Sequence, residues 1–461
     1  MPLVLGVDSS TQSTKAVLVD ADDGTVVDQA TARHPEGTSV DPRAWLAAFD
    51  EAAGPLLPRA SAVSVAGQQH GMVALDEAGH PVHDALLWND TRSADAATQL
   101  VEEMGGAAAC AKDVGSVLVA SFTVTKLRWL RDHQPRAAHA VRRVLLPHDY
   151  VSWHLTGRPA EPFTDHGDAS GTGYYSPAAR SWRPDLAAAA LGHDVGLPRI
   201  VEPGEEAGRT PDGVLVAAGT GDNMAAALGL GLADGDLALS IGTSGVASGV
   251  SVAAPNDATG AVTGFADATG NFLPMATTLN AARILDLQCR LLDVDHAELA
   301  RLALSADPGA GGLTLLPYYG GERTPNRPGA SGTWHGLRPE TTRADLARAA
   351  VEALLCSLAD ALDAVVAQTG SAVERVLLTG GGARSDAVRA LAASIVGHPL
   401  TRLGDGEYVA LGAARQAAWT LAGSASPPVW PLDVRETLTD SPDTSVREAY
   451  AQLRDRTRSW S

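Results

Sequence analysis

An apolar run feeds a loop of small, hydroxyl-bearing residues twice in this chain, first as Val4-Leu5-Gly6-Val7-Asp8-Ser9-Ser10-Thr11 and far downstream as Leu237-Ala238-Leu239-Ser240-Ile241-Gly242-Thr243-Ser244-Gly245. Each run is short and continuous enough to be a buried strand, and each loop has the composition of a tight turn. The repetition constrains the fold more than either copy does, because two related strand-to-turn units set far apart require two related α/β lobes. A glycine-rich stretch, Leu377-Leu378-Thr379-Gly380-Gly381-Gly382-Ala383, closes a third apolar run. Backbone N–H groups freed by Gly and Ser can approach phosphate oxygens without an intruding side chain. One such loop is an ordinary turn; three in this order predict a nucleotide cleft between the lobes.

Composition agrees with that reading. With 461 residues, 45% of them hydrophobic, the chain can fill two sizeable cores. Its 35 Lys and Arg against 54 Asp and Glu give a formal charge of -19, a field that repels nucleic acid and anionic membranes. An acidic chain that handles ATP must gather local donors or a cation at the phosphates, a need that backbone loops and Mg²⁺ meet. Cys110, Cys289 and Cys356 lie far apart with no C-x-x-C pair, which points to neither a disulfide framework nor a zinc site. Asp8 interrupts the first apolar run before a signal sequence could develop, and no apolar stretch reaches membrane-spanning length. The expectation is a cytoplasmic protein with no membrane and no nucleic-acid partner.

Leu3 to Val7, Ala16 to Val19 and Thr25 to Val27, with the turn Asp22-Asp23-Gly24, predict a three-stranded meander. The spacing from Trp45 to Leu57 predicts a helix, and Ala62 to Val65 a short buried strand running into Gly67-Gln68-Gln69-His70-Gly71. Lys126 to Leu130 reads as helix. Val214 to Ala218 predicts a strand into Gly219-Thr220-Gly221-Asp222-Asn223, and Met224 to Leu228 a helix. A boundary near Ala233-Asp234-Gly235-Asp236 divides the chain into residues 1–234 and 235–461. Beyond it, Leu237 to Ile241 and Val246 to Val250 predict strands, and an apolar stripe from Leu346 to Val365 predicts a long helix capped by Thr342 with Asp345. Val376 to Leu378 reads as a strand entering the Gly380 loop, and Asp386 to Val396 as a helix facing it. The tail from about Thr437 is polar and reads as peripheral.

Two long patterns stand in one order: Ser121-x-Thr123-x-x-Lys126-Leu127-x-Trp129-Leu130-x-Asp132-His133, then Gly332-x-Trp334-x-Gly336-Leu337, continuing through Asp345-Leu346 to Glu352. With the three loops they resemble the FGGY carbohydrate kinases, a family of the actin-like ATPase superfamily, from Val4 to about Trp419. The resemblance implies an α/β fold of two RNase H-like lobes around a cleft, with sugar and catalytic base on residues 1–234 and ATP on residues 235–461. It implies a sugar and ATP as partners, Mg²⁺, and direct in-line phosphoryl transfer; it also admits a homodimer. Ala66-Gly67-Gln68-Gln69-His70-Gly71, Leu87-Trp88-Asn89-Asp90-Thr91-Arg92, Leu145-Leu146-Pro147-His148-Asp149-Tyr150 and Gly320-Gly321-Glu322-Arg323-Thr324-Pro325 are similar to sugar-facing elements of members that convert D-xylulose to D-xylulose 5-phosphate. His70-Gly71 stands where glycerol-specific members carry Arg-Glu, which argues against glycerol. Competing readings are another ketose or polyol, such as ribulose, ribitol or gluconate, and a non-kinase actin-like ATPase. Gluconate would need a cation beside its carboxylate, for which these motifs offer Arg92.

The resemblance also implies roles. Asp222 is the general base that takes the proton of the attacking sugar hydroxyl; by residue type alone an Asp there caps the following helix, and the two roles are compatible. Asp8 holds Mg²⁺ near the β- and γ-phosphates through water, although a lone Asp after a strand is in general a turn residue. Ser10, Thr11, Gln12 and Lys15 add donors, with Ser10 standing where the superfamily commonly has glycine. Gly242, Thr243 and Ser244 cradle the terminal phosphates, while Gly380, Gly381, Gly382 and Ala383, bordered by Asp386, hold adenine and ribose. Gln69, His70, Gly71, Trp88, Asn89 and Asn223 face the sugar, His70 as a hydrogen-bond donor.

Overall fold

Strand β1 (Leu3–Ser9) is buried along almost its whole length, as an apolar strand must be at the middle of a covered sheet. The computed structural model describes residues 2–460. β1 turns back into β2 (Ser13–Asp20), and β3 (Val26–Arg33) completes the expected antiparallel meander. Helix α1 (Arg43–Ala52) stops short of the expected Leu57, because Gly54 and Pro55 end it and only a 3₁₀ turn, Leu57–Arg59, follows. β4 (Ala62–Gly67) then runs parallel to β1.

A helical insertion follows, including α2 (Thr123–His133) and α3 (Pro147–Leu155). The chain returns to the sheet as β5 (Glu206–Arg209), β6 (Leu215–Ala217) and the two-residue β7 (Thr220–Gly221), which pairs with the end of β4 and leads directly into α4 (Asp222–Gly229). The strand order is β5-β6-β4-β1-β2-β3.

The second half repeats this arrangement. β8 (Asp236–Ile241) and β9 (Gly245–Gly249) form the central hairpin, with β10 (Thr263–Ala266) and β11 (Phe272–Thr278) beyond it. Helices α5 (Ala282–Leu292), α6 (His296–Ser305) and α7 (Arg343–Thr369) follow. Thr342 and Asp345 form the predicted reciprocal cap of α7, whose 27 residues are buried on most sides in the larger core. β12 (Arg375–Thr379) lies parallel to β8, and after α8 (Asp386–Val396) come β13 (Leu400–Leu403), helix α9 (Tyr408–Ala422), β14 (Val434–Leu438) and α10 (Thr444–Arg456). The order β10-β11-β9-β8-β12-β13-β14 matches the first sheet: a meander, two parallel strands, and one antiparallel edge. The echo of the two loops is therefore an echo of whole sheets.

Two features depart from the sequence reading. The tail is not peripheral: Val446, Tyr450 and Leu453 fall on one face of α10 and join the second core, their spacing hidden by intervening charge. The other is α9, which comes from the second half of the chain yet lies on β1 and β4 of the first sheet and crosses α4. A Cβ at Gly6 would lie 2.0 Å from the Ala410 carbonyl oxygen, and one at Gly412 would lie 1.8 Å from that of Ala225. Backbones this close admit only glycine.

Candidate active site

β1, β4 and β7 end side by side, so Asp8, Gln69 and Asp222 are delivered to one edge of the first sheet by strand register alone. Asp8 is 3% exposed and accepts a hydrogen bond from the Ser10 hydroxyl. The serine that replaces glycine thus binds the carboxylate it follows. Burial pushes the Asp8 carboxyl up to about 6, with Ser10 and Lys15 opposing and Glu407 adding repulsion. Lys15 lies across the ladder from Asp8 and reaches Glu407, just ahead of α9, at 2.6 Å. Thr11 receives a 2.8 Å hydrogen bond from the indole of Trp88, which is 41% exposed and so belongs to the cleft wall rather than the core. Gln12 and Asn89 are exposed.

Asp222 opens α4, but the N-cap position belongs to Gly221, so the Asp222 carboxylate is not the N-cap group. Its Oδ1 instead accepts the Asn223 backbone N–H at 2.9 Å and the Asn223 amide at 3.0 Å. The same amide donates to Gln69 Oε1 at 2.8 Å, tying base, neighbour and β4 turn into one unit. Burial foremost, then the negative charges of Asp8 and Asp168, push the Asp222 carboxyl up to about 8.

His70 has φ of 68°, in the left-handed region that few non-glycine residues occupy. Its Nδ1 lies 2.6 Å from the Gly171 carbonyl, which can only accept, so Nδ1 carries the proton. Burial, with Lys126 and Arg323 adding to it, holds the ring down at about 3, so the imidazole is neutral. Nε2 is therefore an acceptor, which corrects the expectation that His70 donates. Gly71 packs on Pro147, where a Cβ would lie 2.4 Å from the ring.

Three further expectations about sugar-facing motifs are corrected. His148 and Asp149 are fully buried, His148 bonded to Asp168 at 2.6 Å, and lie behind the cleft wall. Glu322 is buried and receives the Leu279 N–H and the Asn280 amide, which locks its loop. Arg92 donates to Asp90 at 2.8 Å and lies over Trp129, so it is committed elsewhere.

On the second lobe, the turn Gly242-Thr243-Ser244 is held to the start of α5 by hydrogen bonds from the Ala281 and Ala282 amides, leaving Thr243 exposed. Gly380 has φ of 90° and crosses the end of β8, where its Cβ would lie 2.7 Å from the Ile241 carbonyl oxygen. Gly381 and Gly382, with Arg384, Ser385 and Asp386, wall a pocket of about 440 Å³ whose other side is α5 and α6. Ala282, Leu285, Asp286 and His296 from those helices escaped sequence reasoning, because nothing local separates a pocket-lining helix from a core helix. Another cavity, of about 1400 Å³, lies where Leu230, Tyr408, Arg415 and Trp430 meet and contains neither Asp8 nor Asp222.

Comparison with known proteins decides what this cleft belongs to. Residues 3–231 match the N-terminal domain, and residues 237–421 the C-terminal domain, of the FGGY family of carbohydrate kinases. The chain belongs to that family. As an FGGY kinase it is an ATP-dependent carbohydrate phosphotransferase with the two-lobed actin-like ATPase fold. It is 48% identical over 437 residues to a xylulose kinase of Streptomyces coelicolor, covering 92% of this chain and 89% of that one. It is 47% identical over 442 residues to the xylulose kinase of Streptomyces rubiginosus, with the same coverage of 92% and 89%. The crystal structure of xylulose kinase from Bifidobacterium adolescentis superposes with a TM-score of 0.93 at 45% identity, over 98% of this FGGY kinase and 99% of that chain. No helix among the described residues is long and apolar enough to cross a membrane.

Proposed function

We propose that the protein transfers the γ-phosphoryl group of ATP to the 5-hydroxyl of D-xylulose, with Asp222 as general base. The placement of Asp222 carries this reading: an elevated, half-buried carboxyl at a strand end, with Oδ1 held by Asn223, which is itself tied to Gln69. A base whose pKa lies near the working pH takes a hydroxyl proton readily while remaining partly ionised. The likeness to xylulose kinases supports the choice of sugar.

Gln69, His70 and Asn223 orient the ketose, with Gly71, Trp88 and Asn89 completing its side of the cleft. Ser10, Thr11, Gln12 and Lys15 from the first lobe, and Gly242, Thr243 and Ser244 from the second, offer backbone and hydroxyl donors to the phosphates. The nucleoside occupies the pocket between the Gly380–Ala383 turn and α5, its base against Leu285 and its ribose near Asp386. The charge of Asp8 raises the Asp222 carboxyl, and a buried carboxylate at this strand end suits a hard divalent cation. Mg²⁺ held by Asp8 would neutralise phosphate charge in the transferring group. Residues 1–234 then act as the sugar lobe and 235–461 as the ATP lobe, in the cytoplasm where ATP is available.

The test is ATP turnover by the purified protein over a panel of D-xylulose, ribulose, ribitol, gluconate and glycerol. D-xylulose should give the highest kcat/KM. Preference for another sugar reassigns the substrate, and acceleration by none removes the kinase reading.

A further inference from the structure

Lys126, the lysine of the first long sequence pattern, is fully buried on α2 and has no part in the chemistry described above. Its Nζ donates to the carbonyl oxygens of His70 and Ser121, each at 2.7 Å, and to no carboxylate. The Thr123 hydroxyl donates to the same His70 carbonyl at 3.1 Å. Burial drives the Lys126 pKa well down, a cost that a fold retains only where the surroundings over-determine it.

The object held is a single strained residue. Two donors pull the His70 carbonyl inward, and its left-handed φ swings the ring the other way, against Phe122 at 4.9 Å and Phe265 of β10 at 5.7 Å. The Gly171 carbonyl accepts the Nδ1–H hydrogen bond. Among the described residues Nε2 takes no hydrogen bond from the protein, and it is not among the buried polar atoms left unpaired, so it faces the open cleft. Phe265 belongs to the second sheet, so the ring is clamped where the lobes meet.

We propose that Lys126 is a positioning residue that holds the His70 backbone in place while the Gly171 carbonyl keeps Nε2 an acceptor, so that the site selects a sugar bearing a hydroxyl that donates at the position His70 reads. Lys126 never touches the sugar. A carbonyl, ether or fluorine at that position has no proton to give, and the Nε2 lone pair, covered by the bound sugar, would be left unpaired. The inference rests on the reading that a ketose lies beside His70.

Steady-state kinetics with D-xylulose analogues test it, each analogue carrying hydrogen or fluorine in place of one hydroxyl at C1, C3 or C4. At one position the fluoro compound should bind as poorly as the deoxy compound, and both deficits should vanish in His70→Ala. Lys126→Met should raise KM for the sugar by about 10- to 100-fold, the scale of leaving a buried acceptor unsatisfied where it orients a contact, with KM for ATP unchanged. Lys126→Gln, which keeps a donor, should fall between. Fluoro analogues that bind like the parent at every position overturn the proposal, as does a Lys126→Met enzyme whose KM values for sugar and ATP rise together. If Lys126→Met does not fold, the analogue series on the natural protein and His70→Ala decides alone. A natural protein that turns over no sugar overturns the substrate reading itself, an outcome distinct from an active enzyme with indifferent analogues.

Discussion

Asp222 Oδ1 receives both the backbone N–H and the side-chain amide of Asn223, while Gly221 occupies the N-cap position. Replacing Asp222 with Asn keeps the shape and the Asn223 contact but removes proton acceptance, so Asp222→Asn should lower kcat by about 10²- to 10⁴-fold. Circular dichroism should stay unchanged, and a variant with full activity would assign the base elsewhere. Gly382 makes a different demand, because a Cβ there would lie 2.3 Å from Ile241 Cγ2. Gly382→Val should open the turn and raise KM for ATP by tenfold or more with less effect on KM for sugar, on the scale of about 1–3 kcal/mol for overpacking. Residues of this kind were legible in the sequence, since Asp and Gly at strand ends announce themselves by position. The sense of the His70 hydrogen bond was not, because it is fixed by the Gly171 carbonyl, 101 residues away.

Among elements, the pairing of α4 with α9 matters most, because it joins the helix that starts at Asp222 to a helix lying on β1. Gly412 sits at their crossing, and the 1.8 Å approach of its virtual Cβ to the Ala225 carbonyl leaves no relaxed alternative. Gly412→Ala should therefore destabilise the protein by about 1–3 kcal/mol despite the better helix propensity of alanine, read as a lower urea midpoint. The strands and long helices were readable from period and caps: the Thr342–Asp345 cap and the apolar stripe behind it placed α7 within a few residues. The return of α9 to the first sheet was not, since a run of alanines fits any close helix contact. α10 was misread because charge outweighs its three core residues in composition. Its burial predicts that Leu453→Ala costs about 2–5 kcal/mol, whereas a dangling tail would lose nothing on thermal melting.

At the scale of the whole molecule, the duplicated sheets explain why the opening echo was so informative, and they leave behind the cleft a polar cluster that ties stability to pH. His148 lies 2.6 Å from Asp168 and 3.2 Å from Asp149, all three fully buried. Burial alone would lower the imidazole, but the two carboxylates outweigh it and hold His148 above its usual range, while burial raises Asp149 to about 7 and Asp168 to about 6. All three shifts have one sign, because the folded state keeps protons that the unfolded chain releases. For His148 the stabilisation is complete below the unfolded value of about 6.5 and is lost as pH rises toward its folded value. For the carboxyls, stability declines from about pH 4 upward through 6 and 7. Asp222, pushed up to about 8, extends the same slope. The urea midpoint should therefore fall steadily between pH 6 and 9, with no plateau at neutral pH, by about 1–3 kcal/mol in free energy. Asp149→Asn removes one of the charges that keep the imidazolium, so the His148 part of its decline should end at lower pH and the curve be shallower above pH 7. Parallel curves for the two proteins would show that His148 does not hold the proton.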